Sequence, residues 1–298
     1  MSAGAGPRTI AVVLNYCREA LTEACVASLE AQQPPLEIVI VDNASPDGSG
    51  ERLRARFPAH AFVQSGANIG YAGGNNRGIA HALARGAEYV FVVNEDAEAD
   101  AGCVAALVAA LDARRDAAIA VPTVVHAGAP DVVWWADGYL DRMRARGMHA
   151  GFGRSRAALP AAQRPGAPPR EVPMVSGCAL LMRATALREL GAFREDYINY
   201  LEDTEICVRW ARAGQRFLHV PGATVRHKVA FPPPPPTPYQ IRMRDRNRLK
   251  FAREWLGPAD RARFHAFFWP TRALRAAQYV LTGDRARLRA LVAGAFGP

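Results

Sequence analysis

With 298 residues, 50% hydrophobic and 22% charged, the chain can bury a sizeable core, which excludes disordered and fibrous classes. The net charge of +9 is local: residues 241–298 hold 13 Lys and Arg against 4 Asp and Glu, which leaves 24 of each in the first 240. No apolar run is long enough to span a membrane, residues 1–8 carry no signal core, and the five cysteines form no Cys-x-x-Cys pair, so a cytoplasmic chain with reduced thiols is expected.

Residues 9–14 are apolar and β-branched, as a strand buried on both faces should be, and 36–41 repeat the pattern. Between them, 21–32 space their apolar residues as an amphipathic helix does, which completes a βαβ unit. A shorter strand is predicted at 61–63, a helical stretch at 79–85, a fourth strand at 89–93, a helix at 101–113 and a strand at 119–125. This alternation predicts an α/β fold with a mostly parallel, doubly wound sheet. From 126 to 170 the sequence is rich in Gly, Pro, Arg and Ala and contains Trp134 and Trp135, which suggests irregular structure or a mobile loop. Order resumes at Val172, with a strand at 180–182, helices at 184–190 and 203–213, and two short strands at 217–220 and 224–227. The proline run at 232–236 is stiff and extended, and separates a final basic helical segment from the body.

In an open parallel sheet, ligands bind beyond the carboxyl ends of the strands. The first strand ends in Asn15-Tyr16 and the second in Asp42-Asn43. The third leads into Asn68, Gly70, Gly74, Asn75 and Asn76, and the fourth ends in Asn94-Glu95-Asp96. Each end also fits a plainer role. Asp42-Asn43 before Ser45 and Gly48 suits a turn, and the glycine cluster suits either a tight turn or a close approach to phosphate. The dinucleotide fingerprint Gly-x-Gly-x-x-Gly after the first strand is absent. Glu202-Asp203 stand at a predicted helix start, where a carboxylate can cap the helix or face the crevice as a general base. His227 ends the last strand, and the rings of Trp134 and Trp135 suit either stacking on a sugar or anchoring a core.

In this order, residues 39–48, 68–78, 92–96, 200–209 and 220–228 resemble the family 2 glycosyltransferases of the GT-A fold, particularly the bacterial rhamnosyltransferase-like branch. The resemblance implies inverting transfer of a sugar from a nucleoside-diphosphate sugar, with dTDP-rhamnose favoured, to a hydroxyl of a glycan or lipid-linked acceptor. It places Asp42 on the base or ribose with Asn15, Tyr16 and Asn43 beside it. It makes the 68–76 loop the lining of the nucleotide and diphosphate, with Asn94 and Glu95 adjoining. Asp96 and His227 would hold Mg²⁺ or Mn²⁺. Asn94 stands where the family has its first Asp, which leaves the charge to Asp96. Asp203 matches the base, with Glu202 as its pair, and Gly177 matches a small residue beneath the acceptor. The implied organisation is a catalytic domain over 1–231 (donor half 9–125, acceptor half 126–231), a linker at 232–238 and a basic tail at 239–298. The chemistry agrees, because a sugar hydroxyl needs a base as it attacks and the departing diphosphate needs its charge neutralised.

The tail mixes Arg242, Arg244, Arg246, Arg248 and Lys250 with Phe264, Phe267, Phe268 and Trp269. It suits either a solvated face or peripheral contact with an anionic membrane, and no nucleic-acid recognition motif accompanies it. Two rival readings are a sugar-1-phosphate nucleotidyltransferase, which would carry a Gly-rich basic loop after the first strand, and a catalytically inactive sugar-nucleotide-binding module.

Overall fold

A computed structural model describes residues 8–297. Residues 1–7, which include most of the segment read as lacking a signal core, and Pro298 lie outside it. The chain opens with β1 (Thr9–Asn15), buried along its whole length as the sequence requires of a strand covered on both faces. Then come α1 (Glu19–Glu30), β2 (Glu37–Asp42), α2 (Ser49–Arg56), β3 (Ala61–Gln64), α3 (Gly70–Ala84) and β4 (Tyr89–Asn94). β5 (Ala97–Ala99), α4 (Cys103–Ala113), β6 (Ala117–His126), β7 (Ala129–Trp135), β8 (Asp137–Asp141), β9 (Arg146–Ala150), β10 (Arg170–Glu171), β11 (Ala179–Arg183) and α5 (Ala184–Leu190) follow. The last elements are α6 (Glu202–Arg212), β12 (Arg216–His227), α7 (Pro238–Trp255), α8 (Pro258–Leu281) and α9 (Arg285–Phe296).

The main sheet has the order β10-β12-β6-β11-β4-β1-β2-β3. β1 to β4 are parallel where they pair, β11 runs antiparallel to β4 and β6, and β12 is parallel to β6. Because β11 alone reverses between them, β4, β6 and β12 point the same way. The carboxyl ends of β1, β2, β4, β6 and β12 therefore share one edge.

The structure departs from the sequence reading at several elements. The segment from 126 to 170 is ordered: β7 folds back on β6, and β8 and β9 form a separate hairpin. Its strands are short and half-exposed, so they lack the continuous apolar run that marks the central sheet. The two short strands before His227 are one strand, β12, with a bulge between Val220 and Thr224 at Pro221-Gly222, where proline has no amide hydrogen to give the ladder. α3 begins at Gly70, so the glycine cluster is its first turns. A Cβ at Gly74 would come within 2.5 Å of Leu14, so this glycine brings helix and strand together.

The segment beyond the proline run packs on the body. Phe251, Ala252, Phe264 and Phe268 share a buried cluster with Ala145, Tyr197 and Leu201. α7 starts with a capping box, in which Thr237 Oγ1 accepts from the Gln240 amide while Gln240 Oε1 accepts from the Thr237 amide.

One buried group carries an acid sensitivity. His219 is fully buried on β12, its Nε2 lies 2.8 Å from Thr123 Oγ1, and its ring meets Trp135 edge-on. Burial, with the nearby charge of Arg170, pushes its pKa down to about 3. Both states are neutral above the unfolded value near 6.5, and below it only the unfolded chain takes up a proton. Stability should thus fall as pH drops from about 6.5 towards 3, by roughly 2 kcal/mol at pH 5 from this residue. Urea unfolding at pH 7 and pH 5 tests this: His219→Gln should lose about 2 kcal/mol less than the parent over that step, and equal losses would refute it.

Candidate active site

The ends of β1 and β2 lie side by side, with Asn15 in register with Asp42. Asp42 is only 1% exposed and its oxygens are engaged within the protein. Asn15 Nδ2 (2.8 Å) and Ser45 Oγ (2.6 Å) donate to Oδ1, and Ser45 N (3.1 Å) and Gln64 Nε2 (3.0 Å) donate to Oδ2. Asn43 is also buried and joins two loops, donating to Asn68 Oδ1 and the Gly70 carbonyl and accepting from the Ile69 amide. Asn75 donates to the Tyr71 carbonyl within its own helix, and Asn76 holds Phe193 and Glu195. Gly70, at φ +77, is pressed against Ile198. Asn15, Asp42, Asn43, Gly70, Gly74, Asn75 and Asn76 brace the rim through contacts with the protein, whereas Tyr16 and Asn68 are exposed on it.

β4 delivers Asn94 to the same edge, and the turn beyond it presents Glu95 and Asp96. β5 pairs with the end of β12, so Ala97 faces His227, and the Lys228 amide donates to the Asp96 carbonyl at 2.7 Å. The two sequence-predicted cation ligands meet, with His227 Nε2 2.9 Å from Asp96 Oδ1. His227 Nδ1 is buried without a partner. Arg18, at the start of α1, places guanidinium nitrogens 3.6 Å from both Glu95 and Asp96. Its acidic neighbours are far away in sequence, so nothing local singled it out. Burial favours a protonated Asp96, but the hydrogen bond and charge of His227 and the charge of Arg18 outweigh it and hold the carboxyl below its ordinary value. Glu95 is pushed up to about 7 by burial and the charge of Asp96.

Asp203 sits on the second residue of α6, behind a contorted turn. Ile198, Tyr200 and Leu201 all have positive φ (59°, 71° and 67°), which side chains disfavour by roughly 1 kcal/mol or more each. One side chain of α7 holds this turn. Asn247, fully buried, points Nδ2 at the carbonyls of Tyr197 (2.7 Å), Asn199 (2.9 Å) and Tyr200 (2.8 Å). Asp203 Oδ2 accepts from the Gly177 amide at 3.0 Å and Oδ1 from the Thr204 amide at 2.6 Å, while Tyr71 donates to the Gly177 carbonyl at 2.7 Å. Gly177 thus aims the carboxylate through its backbone. Glu202 is buried with Oε2 unpartnered, and burial followed by the Asp203 charge raises its carboxyl well above the usual range. Burial thus favours the protonated form of Glu202.

Asp203 shares a small recess with Thr204, Gly147 and His149. His149 lies on the hairpin that sequence read as irregular, and a lone histidine there carried no signal. Trp134 stands between the two groups, its ring edge-on to His149 (4.5 Å) and His227 (4.7 Å). Trp135 is 1% exposed and packs in the core while also lining the recess with Asp203, and its neighbour Trp134, half-buried, turns the other way, as strand alternation demands.

Asn247→Ala should release the three carbonyls and lower kcat by about 10- to 100-fold, the equivalent of 1–3 kcal/mol of lost positioning. Steady-state kinetics with a thermal melt separates this from unfolding. A variant with parental kcat would refute it.

The Glycosyl transferase family 2 model matches residues 10–191. An N-acetylglucosaminyl-diphospho-decaprenol L-rhamnosyltransferase of Mycobacterium tuberculosis is 30% identical over 234 residues, which cover 74% of this chain and 75% of that protein. Among solved structures, GalNAc-T7 with UDP, GalNAc and Mn²⁺ superposes with TM-score 0.63 at 16% identity, over 83% of this chain and 48% of the other. The mannosyltransferase PcManGT of Pyrobaculum calidifontis with GDP-Man and Mn²⁺ gives 0.54 at 18% over 98% and 74%, and S. aureus TarS 1-349 gives 0.57 at 15% over 97% and 81%. With the family model covering more than half its length and the strand-end acids gathered on one edge of a GT-A sheet, the chain belongs to the family 2 glycosyltransferases.

Proposed function

We propose that the chain inverts an anomeric centre, moving a sugar from a nucleoside-diphosphate sugar, with dTDP-rhamnose favoured, to an acceptor hydroxyl, with Asp203 as the base. The observation that carries this reading is the Asp203 carboxylate, held by the Gly177 and Thr204 amides in the recess that His149 and Trp135 also line. A single fixed carboxylate suits one direct displacement, in which it takes the hydroxyl proton as the oxygen attacks. Asp96 and His227 fit a divalent cation, Mg²⁺ or Mn²⁺. They offer one carboxylate and one imidazole that touch, a donor set that leaves the remaining positions to phosphate oxygens and water. Among the described residues no group of three or more His, Cys, Asp or Glu could hold a metal by itself, in keeping with such sharing. The cation would supply charge neutralisation for the departing diphosphate, with Arg18 beside it.

The mycobacterial relative's name specifies a diphospho-decaprenol acceptor, which supports a lipid-linked acceptor here. In this reading residues 1–231 catalyse, with 9–125 as the donor half and 126–231 as the acceptor half, and 232–238 link them to the tail. The tail at 239–298 touches the inner face of the cytoplasmic membrane. No helix among the described residues is long and apolar enough to cross a membrane, and Leu274, Val280, Leu281 and Phe296 are exposed near Arg275, Arg285 and Arg289. Incubation of dTDP-rhamnose with Mg²⁺ or Mn²⁺ should give cation-dependent release of dTDP that a chelator abolishes, with acceptor products of opposite anomeric configuration by NMR. Retained configuration would overturn the mechanism.

A further inference from the structure

Where the β8–β9 hairpin meets α7, guanidinium groups outnumber carboxylates. Arg144 pairs with Asp141 at 2.6 Å, while Arg248 and Arg272 share Asp245. Arg248 Nε also donates to the Arg144 carbonyl at 2.7 Å, which joins the hairpin to the helix. Two further arginines enter this cluster. Arg146 stands opposite Asp141 on β9, and Arg244 lies one helical turn before Arg248 on α7. Among the described residues neither has a carboxylate within ion-pair distance. Arg146 Nε contacts the Met148 sulfur at 3.1 Å, and Arg244 lies 4.7 Å from the centre of the Tyr200 ring. Five guanidiniums therefore face two carboxylates. Burial, then the neighbouring arginines, hold Arg146 below its ordinary value, and the same forces outweigh Asp245 at Arg248, whose pKa lies at about 10.

An anion would relieve this repulsion, and the planar fork of arginine matches phosphate oxygens in pairs. The cluster's place says which anion. Arg244 covers Tyr200, two residues before Glu202, and Arg146 adjoins Gly147, whose amide donates to Thr204 Oγ1 at 3.2 Å. Both arginines flank the segment that carries Asp203, on elements other than those that bring Asp96 and His227 together.

We propose that Arg146 and Arg244 bind a phosphate or diphosphate group of the acceptor, which makes the acceptor a phosphorylated sugar or a sugar carried on a lipid phosphate. This rests on the reading of Asp203 as the base. The two anionic ends of the reaction would then be kept apart: the donor diphosphate at Asp96 and His227, the acceptor phosphate at the arginines, and the attacking hydroxyl between them at Asp203.

Calorimetric titration of the full chain in chelator tests it, with octyl diphosphate, inorganic pyrophosphate, dTDP and phosphatidylglycerol vesicles as probes. The parent should bind octyl diphosphate and pyrophosphate. Arg146→Gln/Arg244→Gln should weaken both by at least about tenfold, as the loss of charge-assisted bonds requires, with an unchanged melt, whereas Arg285→Gln/Arg289→Gln should not. If the double variant melts early, Arg146→Gln alone, which breaks no ion pair, should still weaken binding. The proposal is overturned if the parent binds no diphosphate, if the double variant binds like the parent, or if only vesicles bind. An error in the base assignment would instead appear in the turnover of Asp203→Asn and leave these titrations unchanged.

Discussion

Asp203→Asn should cut turnover by about 100- to 10,000-fold, the range over which a positioned general base contributes, while donor affinity and melting temperature stay close to the parent's. The amide matches the carboxylate in size, and its oxygen can still accept from Gly177 N or Thr204 N, which now hold the two carboxylate oxygens. What it cannot do is take a proton from the attacking hydroxyl. Glu202→Gln provides the contrast. Its carboxyl is buried and raised well above the ordinary range by burial and the Asp203 charge, so a neutral amide resembles the form that burial favours. It should cost less than about tenfold in kcat, in keeping with a group that takes no part in the proton transfer. Steady-state kinetics with a shared donor concentration series decides both. A Glu202→Gln protein as impaired as Asp203→Asn, or an Asp203→Asn protein within a few-fold of the parent, would reassign the base.

The second large effect belongs to Asp96. Its replacement by Ala removes the charge that His227 and Arg18 face, and leaves His227 Nε2 without its 2.9 Å partner in addition to the already unpartnered Nδ1. Losing a charge-assisted contact at a buried site is worth about 1.5–3 kcal/mol, so nucleoside diphosphate binding in the presence of Mn²⁺ should weaken by roughly 10- to 100-fold. Thermal shift with dTDP, with and without Mn²⁺, gives the readout. The parent should show a cation-dependent gain in melting temperature and Asp96→Ala should not. A gain of equal size in the variant would remove Asp96 from the cation site.

The parallel core was legible because burial on both faces leaves a continuous apolar, β-branched run, as in β1 and β4. The meeting of Asp96 with His227 was legible from motif order, although 131 positions separate them. The orientation of polar side chains was not. A strand-end Asp has the same letter whether it faces a ligand or, as Asp42 does, accepts bonds from Asn15, Ser45 and Gln64 inside the protein. Trp134 and Trp135 were indistinguishable as neighbours, and only the pairing of β7 with β6 sets one ring against His149 and His227 and the other into the core beneath the Asp203 recess. Arg18 and His149 were missed because their importance comes wholly from long-range contacts. The β8–β9 hairpin was missed because half-exposed antiparallel strands need no apolar run.

The grip of Asn247 on the Tyr197, Asn199 and Tyr200 carbonyls has a consequence for biosynthesis. The turn that leads into Asp203 is held by a residue made 47 to 50 positions later, on α7. A nascent chain that has emerged only as far as the proline run already contains every strand of the main sheet and the Asp96–His227 pair, but not the amide that fixes this turn. The partly made protein can therefore bring Asp96 and His227 together before the turn that leads into Asp203 is pinned by α7.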